Sequence, residues 1–392
     1  MKRIRMYNVG FGDCFCLRDR KSSLLVDFGT SNKKIGNRMR DDVFERIISD
    51  LSTITKKNLL LTHFHPDHMS GLLYMMGRKH SGKEFGVVYL PDVFSTPRMT
   101  GILTLLILSD LMSISYLPGR KVSLTSLLEA LCSQPYRVKF LQRGDSFEGK
   151  YCTLWPDTEY IGREADQIIN RLPEQQMAGW QAISNLADEM RRIIRSMSEE
   201  GQSGTNPAIG QEEVAEERKQ SARILLARFS QLRKSQELQQ LLHYLDSEKV
   251  RLREFKDKIS IVFQNAKDGE LNLLFTGDIT PEYLKLITEN YDGRIPMYEH
   301  YWCIKVPHHG TQSHYFDFSR YTPDNMLIPN GIYYANSRKQ ERESRTSGHY
   351  AGLFYIEDTT MYCASCECCE GYQNGCSCRE YEIIEPGYYR DL

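Results

Sequence analysis

Net charge is nearly absent from this chain. Over 392 residues, 50 Lys and Arg face 51 Asp and Glu, a formal −1. The whole protein is therefore not a polybasic nucleic-acid or membrane-surface binder, although a local basic face is compatible with that balance. Long apolar runs are missing as well. The most apolar stretch, Ile102-Leu-Thr-Leu-Leu-Ile-Leu-Ser-Asp110, meets an aspartate far short of a bilayer span. Met1-Lys-Arg-Ile-Arg runs directly into Met6-Tyr-Asn-Val-Gly, with neither the apolar core nor the small-residue cleavage site of a signal peptide. Internal repeats are also lacking. The expectation is a soluble, cytoplasmic protein with no membrane partner. What is present is ordinary globular material: apolar residues at 41% and charged residues at 26% suffice for a core and exclude disorder as the default state. The length fits two domains, or one large domain with an insertion.

The pattern of apolar residues predicts alternating strands and helices. Arg3-Ile-Arg-Met-Tyr-Asn-Val-Gly alternates, Gly10-Phe-Gly12 turns, Cys14-Phe-Cys-Leu alternates again, and Ser23-Leu-Leu-Val-Asp27 reads as a short buried strand. Asp41 to Ser49 has helical spacing, and Asn58-Leu-Leu-Leu-Thr62 is a second buried strand. Gly86–Leu90 and Tyr136–Leu141 read as further strands, with helical material between them. From about 160 to 255 the composition changes to Glu, Gln, Arg, Lys, Leu and Ala, with apolar residues three and four apart. Two or three long helices are expected there, joined by the linker-like Ser198-Glu-Glu-Gly-Gln-Ser-Gly-Thr-Asn-Pro207. This segment is either an insertion packed on the main body or an arm for dimerisation or partner docking. Strands return at Lys258–Phe263, Leu271–Asp278 and Trp302–Pro307. The whole reads as an α/β layered fold.

Thr62-His63-Phe64-His65-Pro66-Asp67-His68 carries the chemistry. Three imidazoles and a carboxylate follow a strand directly, and these are the donors that Zn²⁺ prefers and that Mn²⁺ or Fe accept. His63 and His65 can point one way as the strand ends, while Asp67 and His68 fall on the next turn and can face a second ion.

His-x-His-x-Asp-His after an apolar strand resembles the metallo-β-lactamase fold superfamily. Leu24-Leu-Val-Asp27-Phe-Gly29, Leu274-Phe-Thr-Gly-Asp278 and Val306-Pro-His308-His309-Gly310-Thr311 resemble its other motifs, in family order. Asn8-Val-Gly-Phe-Gly-Asp13-Cys, Ser260-Ile-Val-Phe263 and Lys305-Val-Pro-His-His-Gly310 are similar to the hydrolase domain of ComEC-type DNA-uptake proteins and their soluble relatives. The resemblance covers residues 1–155 and 258–350. It implies an αββα sandwich, here with a long helical insertion and a cysteine-rich tail: 1–158 and 258–355 as the two halves of the fold, 159–257 as the insertion and 356–392 as the tail.

The resemblance also implies a site. Asp27 would prop the metal loop. His63, His65, Asp67, His68, Asp278 and His308 would hold one or two Zn²⁺ or Mn²⁺ ions, with Asp278 bridging and Asp67 orienting the attacking hydroxide. Adjacent His308 and His309 cannot ligate one ion in like geometry. His308, at the strand end, is taken as the ligand, and His309 as the residue that donates to a substrate oxygen or holds the loop. His349 and Lys305 are expected at the substrate, with His314 secondary. Asp13, between glycine and cysteine, is read as a turn residue that could also lie near the site. One departure stands out: the family commonly supplies a further histidine where this chain has Cys152-Thr-Leu-Trp155-Pro156-Asp157. Asp157 or water would fill the gap, or only one metal would bind tightly. His243 is a fallback in the helical segment.

Divalent ions so held lower the pKa of water from about 15.7 to near 7, giving a nucleophile at neutral pH. The expected activity is metal-dependent hydrolysis, by a phosphodiesterase or nuclease acting on nucleic acid. By analogy it would be the effector of a microbial antiviral defence system with a partner ATPase docked on the helices. A small-molecule hydrolase of the same fold (phosphodiester, lactone or thioester) is the second reading, and a non-catalytic scaffold with a partial site the third. Arg338, Lys339, Arg342 and Arg345 are either a phosphate path or a solvated face. In the tail, six of the eleven cysteines fall between Cys363 and Cys378. Cys363, Cys366, Cys376 and Cys378 have the spacing of a structural Zn²⁺ site; the alternative is reduced thiols or a redox-labile pair.

Overall fold

A computed structural model describes residues 3–19, 22–35, 37–76, 85–114, 123–133, 136–199, 211–329, 360–363 and 381–384. The alternating N-terminal residues form β1 (Arg3–Met6), β2 (Phe15–Arg18) and β3 (Ser22–Val26). A small hairpin of β4 (Lys34–Ile35) and β5 (Arg38–Met39) leads into α1 (Arg40–Ser52). Then come β6 (Lys56–Leu60), α2 (Pro66–Met76), β7 (Val87–Pro91), α3 (Thr100–Ile114), α4 (Ser123–Ser133) and β8 (Arg137–Leu141). The second sheet starts with β9 (Ser146–Phe147) and β10 (Tyr151–Trp155).

Five α-helices follow: α5 (Thr158–Ile169), α6 (Met177–Glu199), α7 (Gln211–Leu232), α8 (Gln236–Tyr244) and α9 (Lys249–Lys258). The expected two or three long helices are broken up by local signals. Asp157 accepts from the Tyr160 N–H to start α5, and Ser235 accepts from the Leu238 N–H to start α8. The sheet resumes with β11 (Val262–Asn265), β12 (Leu273–Phe275), α10 (Pro281–Thr288), β13 (Cys303–Lys305) and β14 (Asn325–Ile328). The tail then contributes β15 (Thr360–Cys363) and β16 (Tyr381–Ile384).

Two seven-stranded sheets result, ordered β16-β1-β2-β3-β6-β7-β8 and β15-β14-β13-β12-β11-β10-β9. Both are mixed. In the first, β16 to β3 are antiparallel and β3 to β8 parallel; in the second, β9 to β12 are antiparallel and β12 to β15 parallel. The two halves of the chain thus repeat one plan. Each sheet takes its outermost strand, β16 or β15, from the stretch read as a cysteine-rich tail.

One core lies between the sheets. Ile4, Phe15, Leu24 and Leu60 from the first meet Phe263, Leu273, Phe275 and Leu327 from the second, with Phe15 edge-on to Phe275 at 5.4 Å. The opposite faces are covered by helices in a larger apolar cluster. The apolar stretch Ile102–Leu108 forms the middle of α3 and is buried all round, which is the fate of a helix with no polar face. It packs against α5, α6 and α9. Among the described residues, no helix is long and apolar enough to cross a membrane. Helices α5 to α9 occupy the interval between β10 and β11, which are antiparallel neighbours with Tyr151 opposite Asn265. The helical segment is therefore an excursion from what is otherwise a hairpin.

This topology gathers the chemistry at one edge. Parallel β3 and β6 end side by side, as do parallel β12 and β13, and β11, antiparallel to β12, begins at the same edge. Side chains just after β3, β6, β12 and β13 and just before β11 converge there, the place where mixed and parallel sheets commonly build sites.

Candidate metal centre

Asp27 follows β3 in a left-handed conformation (φ 56°) that turns its carboxylate under the next strand end. It accepts from the Thr62 N–H at 2.7 Å and hydroxyl at 2.8 Å, and from His68 Nδ1–H at 2.8 Å. The turn carrying Asp67 and His68 is tied down from both sides: Asp13 N–H donates to the Asp67 carbonyl, Phe28 N–H to the His68 carbonyl, and Gly71 N–H to the Phe28 carbonyl. These approaches leave no room for side chains. A Cβ on Gly29 would lie 2.5 Å from the Asp67 carbonyl carbon, and one on Gly12 2.7 Å from the Asp67 oxygen. Asp67 itself lies in the first turn of α2 after Pro66, where exposed N–H groups favour a carboxylate.

His308 and His309 both adopt positive φ, 44° and 59°. Two consecutive left-handed residues swing the adjacent rings to different partners, a strain that commonly marks a functional position. His309 is fully buried; its Nδ1–H donates to Asp13 Oδ1 at 2.6 Å, and its Nε2 lies 3.3 Å from Asp67 and 3.4 Å from Asp278. His308 is 23% exposed, with Nδ1 held by Thr311 and His314 and Nε2 3.6 Å from Asp278. His309 is thus the more deeply buried of the two rings and His308 stands at the mouth, with Nε2 atoms 3.4 Å and 3.6 Å from Asp278 respectively.

The donors form two groups that share one carboxylate. Asp278 Oδ2 is 3.0 Å from His68 Nε2, 3.4 Å from His309 Nε2 and 3.8 Å from His63 Nε2. On one side, His63 Nε2 and His65 Nδ1 approach to 2.8 Å, with Asp257 Oδ1 3.2 Å from His65 and 3.8 Å from His63. On the other lie His68, His309, Asp278 and Asp13, with Asp67 beside His309. Each ring has one nitrogen to give. The Nδ1 atoms of His68 and His309 are committed to Asp27 and Asp13, which leaves both Nε2 atoms aimed at Asp278. Asp13 is therefore not the turn residue expected but the acid that orients His309, an outer partner of the kind that fixes tautomer and ring angle.

The electrostatics agree. Burial pushes the His63 pKa well down, with His68 adding to it, which keeps its lone pair free. Burial would also lower His68 and His309, but the surrounding acids outweigh it. Asp278 and Asp27 hold His68 well above the usual imidazole range, and Asp278 and Asp13 push His309 up to about 10. Burial would raise Asp13, yet Lys305 and His309 hold it at about 2. So many buried carboxylates demand positive charge at this spot, and bound metal would supply it. Buried Asp257 Oδ1, Asp278 Oδ1 and His309 Nε2 have no hydrogen-bond partner. Buried donors left without partners are what a metal position requires, since such atoms otherwise cost about 1–3 kcal/mol each. The residues fit a pair of divalent ions.

Several expectations change. Lys305 is buried, with Nζ 2.5 Å from Asp13, 3.5 Å from Asp278 and bonded to the Gly277 carbonyl; it braces the acids from behind and does not face a substrate. Trp155, at the place expected for a histidine, is fully buried against Tyr283 and donates from Nε1 to the Lys258 carbonyl. Asp157 cannot substitute, because it caps α5 and pairs with Tyr291 and Arg294. His243 is exposed on α8, away from the donors. Asp257 was not anticipated. It sits in a charged Lys256-Asp-Lys258 run where the expected helix gives way to the expected strand. The only signal was the apolar Leu252, Phe255 and Ile259, whose helical spacing buries the face on which that run begins. His349, Cys366, Cys376, Cys378 and the basic run Arg338 to Arg345 lie outside the described residues, and Cys363 is described only as part of β15. Cys14, Cys16, Cys132 and Cys303 are buried.

No curated protein matches the chain. A family comparison does: residues 7–82, which run from just after β1 through the histidine cluster and α2, match the Metallo-beta-lactamase superfamily. The later donors Asp278 and His309 complete the site from outside that span. The chain is thus similar to the Metallo-beta-lactamase superfamily over residues 7–82, and the two donor groups are of the kind that hold divalent metal.

Proposed function

We propose that the protein is a metal-dependent phosphodiesterase acting on nucleic acid. The observation that carries the reading is the pair of buried donor groups joined by Asp278 Oδ2. Bound divalent ions would activate water near neutral pH and neutralise charge on phosphoryl oxygens, the arrangement common to two-metal nucleases and phosphatases. The chain's own part is to hold the donors still. Asp27 and Asp13 fix His68 and His309 in one tautomer, and Lys305 keeps Asp13 ionised and lies 3.5 Å from Asp278. His65 and His308, 24% and 23% exposed, mark the open side. With Nδ1 engaged by Thr311 and His314, His308 presents Nε2 to an oxygen of a bound substrate. The likeness of Phe275-Thr-Gly-Asp278 and Lys305-Val-Pro-His-His-Gly310 to ComEC-type hydrolase domains supports nucleic acid over a carbonyl substrate.

The test is hydrolysis of linear and circular DNA, single-stranded DNA, RNA and small phosphodiesters. Chelator-stripped protein is resupplied with Mn²⁺, Mg²⁺ or Zn²⁺, beside the Asp67→Ala/His68→Ala double variant. Metal-dependent cleavage of a nucleic acid that disappears in the variant is expected. Cleavage of small esters alone, or none with metal bound, would refute the nuclease.

A further inference from the structure

Three consecutive residues at the end of α9 do three different things. Lys256 points into the helical layer, where its ammonium pairs with buried Asp110 of α3. Asp110 also accepts from Ser123 Oγ and the Leu124 N–H at the start of α4. Lys258 reaches Glu164 of α5 at 3.4 Å, and its carbonyl accepts from the Trp155 indole at 2.6 Å. Between them, Asp257 turns the other way. Its Oδ1 lies among His63 and His65 without a hydrogen-bond partner, and its Oδ2 is 3.7 Å from His314 Nε2. A carboxylate buried this deeply is costly unless something positive meets it.

We propose that Asp257 is the donor that completes the first metal position, with His63, His65 and Asp278, and that the helical segment thereby sets occupancy of that position. This rests on the metallo-hydrolase reading above. Trp155 and Lys256 are positioning residues: the indole fixes the backbone one residue beyond Asp257, and the ammonium fixes the residue before it. The second position, with Asp67, His68 and His309, is built without any residue of the helical segment. Displacing α9 from α3 would therefore empty one position and spare the other. An oxygen donor in this set also tilts preference toward harder ions such as Mn²⁺ relative to an all-imidazole set.

The test uses the full chain, stripped with chelator and titrated with Mn²⁺ and with Zn²⁺. Bound metal is counted by elemental analysis, and the spin-coupled pair is followed by Mn²⁺ EPR. The wild type is expected to take two ions per chain and show the coupled signal. Asp257→Asn should retain one ion and lose the coupling, and His309→Ala should lose the other. Trp155→Phe, which keeps the ring and removes the donor, and Lys256→Met should each weaken only the first position, by about 10–100-fold, as outer-partner changes do. Asp257→His should keep two ions and raise the Zn²⁺ to Mn²⁺ affinity ratio, which decides the matter if the asparagine variant does not fold. Two ions of unchanged affinity in Asp257→Asn, or an unchanged ratio in Asp257→His, would overturn the proposal alone. A wild-type chain that binds no metal would overturn the hydrolase reading with it.

Discussion

Replacing Asp27 by asparagine separates what a metal ligand does from what its support does. Asp27 touches no candidate metal position. Its carboxylate accepts the Thr62 N–H, the Thr62 hydroxyl and His68 Nδ1–H, all at 2.7–2.8 Å. Its φ of 56° is one that asparagine adopts more readily than most residues, so the substitution adds little backbone strain. The amide oxygen can still take the Thr62 N–H, but the amide nitrogen then faces His68 Nδ1. Two donors cannot share that contact, so the imidazole proton moves to Nε2, the atom that points at Asp278. Metal binding at the second position must now displace that proton or turn the ring. Outer-partner losses of this kind weaken metal by about 10–100-fold, or about 1.4–2.7 kcal/mol. The loss should fall chiefly on the second position, because Asp27 bonds His68 directly and reaches His63 only through the Thr62 hydroxyl, 3.2 Å from His63 Nδ1. Titration of stripped protein against a chelating dye, with ions counted per chain, reads both affinities. Wild-type affinity at both positions, or equal loss at both, would refute the assignment of Asp27 as the residue that sets the His68 tautomer.

Two more predictions follow from the same geometry. Lys305→Met leaves Asp13 and Asp278 buried without their cation, and breaking a buried pair in this way costs about 3–5 kcal/mol; a denaturant titration should show it, whereas an unchanged midpoint with only a raised KM would mean Lys305 meets substrate after all. Gly29→Ala drives a methyl group to 2.5 Å from the Asp67 carbonyl carbon, and the resulting shift should cost about 1–3 kcal/mol of stability and, through misplaced Asp67 and His68, about 100-fold in turnover; turnover near wild type in a folded Gly29→Ala chain would sink the argument.

The strands were legible wherever alternation and burial agreed. The first-sheet strands β2, β3 and β6 to β8 lie within a residue or two of their expected places, while β1 starts where expected and ends at Met6, short of the alternation that continues to Val9. The second sheet shows how that signal fails. Ile259-Ser-Ile261-Val reads as the start of a strand from Lys258, yet β11 begins at Val262. Ile259 also continues the spacing of Leu252 and Phe255, and all three are buried. One residue satisfies both periods; α9 runs to Lys258, and Ile259 lies in the turn between its end and β11. That four-residue displacement hid Asp257, because a residue just before a strand and one inside the last turn of a helix point in different directions.

The site divides in the same way. His63, His65, Asp67 and His68 were legible because they are neighbours in sequence, so their spacing alone makes chance unlikely. Asp13 and Asp257 each stand alone in sequence and acquire meaning only from the partner that the fold brings to them, His309 across the two halves of the chain and the His63–His65 pair from beyond the helical segment; Asp27 was legible through its motif, and the fold adds its partner, His68 across β3 and β6. A single buried acid has no local signature that separates it from a turn residue or a solvated charge. The order of His308 and His309 was open for a related reason. Which of two adjacent imidazoles is inward depends on a pair of positive φ angles, and Val306-Pro-His-His-Gly310 does not announce them. Ligand identity is thus local information, while tautomer, ring direction and the last donor are set by tertiary structure. A variant series confined to the His-x-His-x-Asp-His segment would therefore find the metal and miss what tunes it; substitutions at Asp13, Asp27 and Asp257 reach the part of the chemistry that the tertiary fold supplies.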